Sequence, residues 1–362
     1  MRGLRRFRVA AMGLACLAAL VACGSPGSPK PRPDGTFALE GLWTVTPGEG
    51  TDYGAGGTNT LEFGSEASGH ASFISRSKAN GIKSCEAQPY ELLADGTLWL
   101  DGWAYEVHEL GDLVLLANDT DTLVLRRVDG APPVTPCPQA EAVPFASPAV
   151  PLGDFSVLNG VGANLYFNTG AAGNPIVALD VVSKALGTAR TYTGTSHRWV
   201  VGARSSDLFY GHCACGGSTV IAHFDLAANT ALADVDVREE YGTNVTFRYG
   251  YWDGANFVAG GRDDRDRNLL VTLDGNTLQR LSQREFLPGA GVSDVALVGS
   301  ELLALVGRKV VVVGADGIAE ETTDLGGLEA VTPVGIAAVG SDLFVLARDA
   351  EGNAAFFQVD LP

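Results

Sequence analysis

A short pattern recurs five times in the C-terminal half of the chain and constrains its fold more than any other feature. Gly162-Ala163-Asn164-Leu165-Tyr166, Ser205-Ser206-Asp207-Leu208-Phe209, Gly254-Ala255-Asn256-Phe257-Val258, Gly299-Ser300-Glu301-Leu302-Leu303 and Gly340-Ser341-Asp342-Leu343-Phe344 align without gaps. Each stands between two apolar runs, so each reads as a hairpin turn between strands. A second marker, at Asp180, Asp225, Asp274, Gly314 and Asp360, closes a third apolar run, as in Ile176-Val177-Ala178-Leu179-Asp180. A fourth, more polar run follows in places, such as Ala233–Val237, as suits a strand with one open edge. The period of about 40 to 50 residues is that of arrays in which one supersecondary unit stacks on the next, because no unit can bury its apolar face alone.

Four short strands per repeat resemble the blades of a β-propeller, and the resemblance implies a five-bladed propeller over residues 154–362. The fifth repeat reaches Pro362 after its third strand, so the missing strand is expected from upstream, within Glu141–Val150. The prolines of that segment require an edge position, since proline cannot donate to a sheet ladder. The Trp-Asp and Gly-His signature of WD40 repeats and the double glycines of kelch repeats are missing, so no functional residues carry over from those families.

Ahead of the repeats, residues 36–137 hold eight strand candidates: Leu39–Thr46, Thr58–Phe63, His70–Ser75, Pro89–Leu93, Thr97–Leu100, Trp103–Val107, Asp112–Ala117 and Asp121–Val128. Turn pairs such as Asp95-Gly96 and Asp101-Gly102 separate several of them, which predicts a meander closed into a small barrel or sandwich. Gly41-Leu42-Trp43 on the first strand resembles the Gly-x-Trp motif of lipocalins, and Leu123-Val124-Leu125-Arg126-Arg127 ends the last strand. The resemblance implies that Arg126 or Arg127 packs over Trp43 and closes the base of the barrel. Residues 138–153, rich in proline, read as a linker that is also free to donate the closing strand. The expected fold class is therefore all-β.

The N-terminus carries an address. Four arginines within the first eight residues precede an apolar run from Val9 to Ala22, too short to span a bilayer and laid out like a secretory signal peptide over residues 1–22. Leu20-Val21-Ala22-Cys23 resembles the bacterial lipobox, which implies cleavage before Cys23 and acylation of that cysteine. Two or three acyl chains anchor firmly where one does not, at roughly 0.8 kcal/mol per buried methylene. Residues 23–35, with Pro26, Pro29, Pro31 and Pro33, read as a flexible tether. Gly24 in place of aspartate leans toward the outer membrane. The expected location is the cell envelope, on a lipid anchor.

The formal net charge is −17, more negative still without the leader arginines, which leaves no electrostatic footprint for nucleic acid. Outside Cys16 and Cys23 the cysteines are Cys85, Cys137, Cys213 and Cys215. An oxidising compartment favours disulfides, and the economical pairing is Cys85–Cys137 with Cys213–Cys215. In His212-Cys213-Ala214-Cys215 a local disulfide is preferred to a soft-metal site, and no metal or cofactor is expected. Asp263-Asp264-Arg265-Asp266-Arg267 reads as a solvated loop, because its arginines oppose calcium binding.

No nucleophile elbow, metalloprotease helix, phosphate loop or dinucleotide fingerprint occurs. A ligand pocket is sought where first strands line the central channel, at Arg198, Trp199, Arg248, Tyr249 and Trp252, whose cations and aromatic faces suit a sugar or an anion. The alternative for the aromatic residues is core between blades. The sequence favours a non-enzymatic binding or scaffold protein of the envelope, with an envelope protein or glycan as partner. Two alternatives stand beside it. One is a glycan hydrolase or lyase using Asp253, Asp294 or Glu239, and the other is a carrier of a small hydrophobic ligand in the N-terminal barrel.

Overall fold

A computed structural model describes residues 39, 41–47, 57–63, 70–93, 96–100, 102–110, 113–119, 122–128, 139–153, 156–171, 173–192, 199–215, 218–237 and 245–361. Every element named among them is a β-strand. Cys23, Cys137, Arg198 and Glu239 lie outside the described residues.

Strands β1 (Gly41–Pro47), β2 (Gly57–Phe63), β3 (His70–Ser77), β4 (Lys83–Leu92), β5 (Thr97–Leu100), β6 (Trp103–Leu110), β7 (Leu113–Ala117) and β8 (Thr122–Arg127) pair in sequence order, and β8 returns to β1 to close a barrel. Alternation of inward and outward side chains along these strands fills the barrel. Leu98 and Leu100 of β5, Val114 and Leu116 of β7, and Leu123 and Leu125 of β8 point inward, with Trp43, Phe63, Tyr90 and Tyr105 completing the packed interior. Trp43 sits opposite Arg127 across the closing pair. Its indole Nε1 donates to the Leu39 carbonyl at 2.7 Å, and the Arg127 guanidinium lies 5.3 Å from its ring centroid.

The repeats form β10 (Leu158–Val161), β11 (Asn164–Asn168) and β12 (Ile176–Asp180) in the first unit. The second holds β13 (Trp199–Ala203), β14 (Leu208–Cys215), β15 (Ser218–Asp225) and β16 (Thr230–Asp236). The third holds β17 (Val245–Trp252), β18 (Asn256–Asp263), β19 (Asn268–Asp274) and β20 (Arg280–Glu285). The fourth holds β21 (Val292–Val298), β22 (Glu301–Val306), β23 (Lys309–Val313) and β24 (Ala319–Gly326), and the last β25 (Thr332–Val339), β26 (Asp342–Arg348) and β27 (Ala354–Val359). Each unit is an antiparallel meander. The first strands neighbour one another in a closed cycle, β10 to β13 to β17 to β21 to β25 and back to β10. This is a β-propeller arrangement.

Sheets packed on both faces explain the sequence pattern. Second strands such as β18 and β22 are buried nearly throughout, so they read as apolar runs, while β20 is exposed along its whole length. The repeat markers are turns with a chemical cause. Gly162 and Gly340 hold φ at 60° and 64°, a conformation glycine adopts without strain. Asp180 Oδ1 accepts from the amides of Val182 and Ser183, and Asp274 Oδ1 from those of Asn276 and Thr277. These Asx turns end the third strands.

The upstream strand β9 (Gln139–Ala146) completes the last unit, as expected, and does one thing more. Ala142 to Ala146 pair antiparallel with β27, while Gln139 to Glu141 pair in parallel with β24. The fourth and fifth units thus share one eight-stranded sheet. An edge position was expected for the prolines of this segment, yet β9 is paired on both sides. The two pairings occupy different residues: contact with β24 stops at Glu141, so Pro144 leaves no ladder bond unmade there, and a register shift accommodates it against Phe357.

The barrel docks on this region through its β3–β4 turn. Ala319 N donates to the Asn80 carbonyl at 2.8 Å, Arg76 Nη2 to the Ala319 carbonyl at 3.1 Å, and Asn80 Nδ2 to the Pro288 carbonyl at 3.0 Å. Gly81, with φ of 72°, has no room for a side chain: a Cβ would come within 2.4 Å of Ile318 Cγ2.

Candidate functional site

Four of the five first strands share a local irregularity that shapes the centre of the propeller. Register slips by one residue between Val200 and Gly202, Phe247 and Tyr249, Val292 and Asp294, and Pro333 and Gly335. A bulge bends its strand and re-aims the residues beyond it. Those residues, Ala203 and Arg204, Gly250 to Trp252, Val295 to Leu297 and Ile336 to Ala338, join Leu158 to Val161 in lining a cavity of about 290 Å³.

The wall presents more polar than apolar surface, with Asn159 on the first unit, Arg204 on the second and Tyr251 and Trp252 on the third. Arg204 stacks on Trp252, its guanidinium carbon 4.5 Å from the indole centroid, and Nη1 donates to Asn276 Oδ1 at 2.9 Å. Tyr251 stands beside Trp252 in the same wall, its phenol raised by burial against an opposing Arg284.

Of the residues sought in the channel, Trp252 is there. Tyr249 is 1 % exposed and belongs to the core between the third and fourth units, where burial pushes its phenol far above the usual range. Trp199 packs edge-on against His212 in the core between the second and third units. Arg248 is the bulged residue itself and is exposed to solvent. The physical reason is the bulge: it reverses which faces of the first strand meet core and channel, and simple alternation does not foresee it. Arg204 was missed. Its signal was available, since it directly precedes the second repeat marker as Asp253 does the third.

Of the acids considered for catalysis, Asp294 and Asp253 are committed to structure, and Glu239 lies outside the described residues. Asp294 is 1 % exposed. Its Oδ2 accepts from Leu158 N at 3.1 Å and Ile336 N at 3.0 Å, and Oδ1 from Val295 N at 2.8 Å. One carboxyl thereby bolts three first strands together, including those of the first and last units. Gly335 makes the space, for a Cβ there would lie 3.1 Å from Asp294 Oδ2. Burial pushes the carboxyl up to about 8, against the three amides that favour its charge. Asp253 Oδ1 accepts from Ala255 N and Asn256 N and shapes a turn.

The acidic loop of the third unit is not simply solvated. The Asp263 side chain is buried, its Oδ2 pairs with Arg267 Nη2 at 2.6 Å, and its Oδ1 accepts from the amides of Arg265 and Arg267. These amides and the guanidinium hold Asp263 below the usual carboxylate range, although burial opposes them most strongly. Arg262 pairs with Asp266. Charge is balanced within the turn.

Cys85, on β4, is disulfide-bonded, and Cys137 lies outside the described residues. Cys213 and Cys215 are both in β14, paired with Val220 and Ser218. Among the described residues no group of three potential metal ligands occurs, and no helix is long and apolar enough to cross a membrane.

No family model matches the chain, and no curated protein does. Among solved structures it is similar to BamB from Moraxella catarrhalis, at 14% identity over 91% of this chain and 95% of that one, with a TM-score of 0.31. The β-propeller domain of Cps50 (Swd1) from Myceliophteria thermophila matches at 13% identity over 56% of this chain and 64% of its own, TM-score 0.33. An engineered GH43 glycoside hydrolase with endo-xylanase and exo-arabinofuranosidase activity matches at 14% identity over 59% and 51%, TM-score 0.39. The β-propeller arrangement is carried by the strand pairing and the closed cycle of first strands.

Proposed function

We propose that this chain is a binding or scaffold protein of the bacterial cell envelope, acting through the central channel of a five-bladed propeller that a lipocalin-like barrel carries. The observation that carries the reading is the channel wall. It offers a concave surface, more polar than apolar, with one cation stacked on an indole and a phenol beside it, the few placed polar groups by which a pocket orients a ligand. The acids nearest in sequence to that wall are spent on backbone amides, which favours binding over glycan hydrolysis. The closing cycle of first strands supports the blade count. The stacking of Arg127 on Trp43 supports the lipocalin likeness. The barrel interior is filled by its own side chains, so the carrier reading is set aside.

The anchor is part of the proposal: acylation of Cys23 within Leu20-Val21-Ala22-Cys23, with outer-membrane placement and a Cys85–Cys137 disulfide. Two experiments test these parts separately. Cys23→Ser is expected to release the protein from the membrane fraction, and retention there would remove the anchor. Arg204→Ala with Trp252→Ala is expected to abolish co-purification of the partner from envelopes while leaving the fold intact. Unchanged co-purification would remove the channel.

A further inference from the structure

Two histidines are buried on the face that the second unit presents to the third. His212 is 0 % exposed and His223 2 %. Neither ring has a hydrogen-bond partner at either nitrogen among the described residues. Register puts them on one face: Trp199 opposes His212 across β13 and β14, and Tyr210 opposes His223 across β14 and β15. His212 meets Trp199 and Phe247 edge-on at 5.0 and 5.9 Å, and His223 stacks on Tyr210 at 4.6 Å. A phenylalanine would fill the same space without leaving imidazole nitrogens unpaired, and an unpaired buried polar group is costly.

The surroundings offer little that would accept a proton's charge. Opposite Ile221 and His223, β16 presents Val235 and Ala233. From the third unit come Phe247, Phe257, Leu269 and Val271. Ionisable groups near His223 are the cation of Arg204, the acid of Asp225 on its own strand, and the Tyr210 phenol. Asp274, which bears on Tyr210, is held by turn amides. Among the described residues no charged group bears on His212, and burial pushes it down to about 4. His223 is lowered by burial and then by Arg204, with Asp225 opposing.

The same seam carries the channel wall. Tyr210 stacks on Phe257 at 3.9 Å and its hydroxyl donates to the Gly275 carbonyl at 2.8 Å. Arg204 reaches across to Trp252 and Asn276.

We propose that the seam between the second and third units is an acid-opened gate, in which protonation of His212 and His223 parts the two sheets and widens the channel at Arg204 and Trp252. Neutral rings keep it closed, and among the described residues imidazolium has no anionic partner in the closed seam at His212. The reading of the channel as a binding site is needed only to say what the opening serves.

Hydrogen exchange of the full chain without ligand, corrected for the intrinsic effect of pH, tests the gate apart from that reading. An opened state in which His212 titrates near 6.5 rather than about 4 gains about 20-fold in population between pH 7 and pH 5. Protection across Leu208–Cys215 and Val245–Trp252 is therefore expected to fall about that much, while Glu301–Val306 and Lys309–Val313 keep theirs. His212→Phe with His223→Phe is expected to hold seam protection at pH 5. The wild-type comparison stands by itself if that variant does not fold. Equal loss in all four segments, or the same seam loss in the double variant, would overturn the gate.

Discussion

Replacing Asp294 by alanine removes the acceptor of two amides on other strands, Leu158 N and Ile336 N, and of its neighbour Val295 N. Each inter-strand amide left buried without a partner costs about 1–3 kcal/mol, so the substitution is expected to destabilise by about 2–6 kcal/mol. The loss concentrates where the first and last units meet. Asparagine keeps one oxygen for the two inter-strand amides and is expected to cost less than half as much. The pH dependence follows from the raised carboxyl. A folded-state value of about 8 against about 3.9 unfolded means the folded protein binds the extra proton between those values. Stability contributed by Asp294 is full below about pH 4 and is lost as pH rises toward 8, by up to about 1.4 kcal/mol per unit. Asp294→Asn has nothing to ionise, so its deficit relative to wild type shrinks from pH 5 to pH 8. Urea midpoints at four pH values, read by circular dichroism, measure all of this. A loss under 1 kcal/mol in Asp294→Ala, or a pH-independent difference between wild type and Asp294→Asn, would refute the reasoning.

Three further expectations follow from other parts of the fold. Trp43→Ala empties the base of the barrel beneath Arg127 and is expected to cost about 3–5 kcal/mol, read as a lower thermal midpoint of barrel unfolding. Gly81→Val drives a side chain into Ile318 and the Ala319 carbonyl; the Ala319 amide is expected to lose hydrogen-exchange protection while strands within each unit keep theirs. Ala142→Lys places a charge at a fully buried position of β9 and is expected to break the shared sheet, exposing β27 and β24 together to exchange rather than β27 alone.

Much of the fold was legible because local chemistry repeats. Gly162, Gly254, Gly299 and Gly340 mark turns that need a positive φ, and Asp180, Asp225 and Asp274 mark turns that need a side-chain acceptor. Both requirements act within a few residues, so they show in sequence. The eight strands of the barrel were legible through the turn pairs, such as Asp95-Gly96 and Asp101-Gly102, that separate several of them. What stayed hidden depends on residues far apart. The bulge at Arg248 sends Tyr249 to the core and Trp252 to the channel, and no local pattern announces it. Asp294 read as a possible catalyst because its partners, Leu158 and Ile336, are distant in sequence. His212 stood out beside two cysteines, but its burial against Phe247 of the next unit was invisible. The upstream strand was foreseen for the last unit, while its second pairing, with β24, was not.

The claim that the channel is the recognition surface is tested most directly by a photo-crosslinking residue placed at Tyr251, in the channel wall, and separately at Leu281, on the exposed outer strand β20. Irradiation of intact envelopes is expected to give a discrete adduct from position 251 that Arg204→Ala removes, and none from position 281. The same adduct from both positions, or an adduct at 251 indifferent to Arg204, would contradict it.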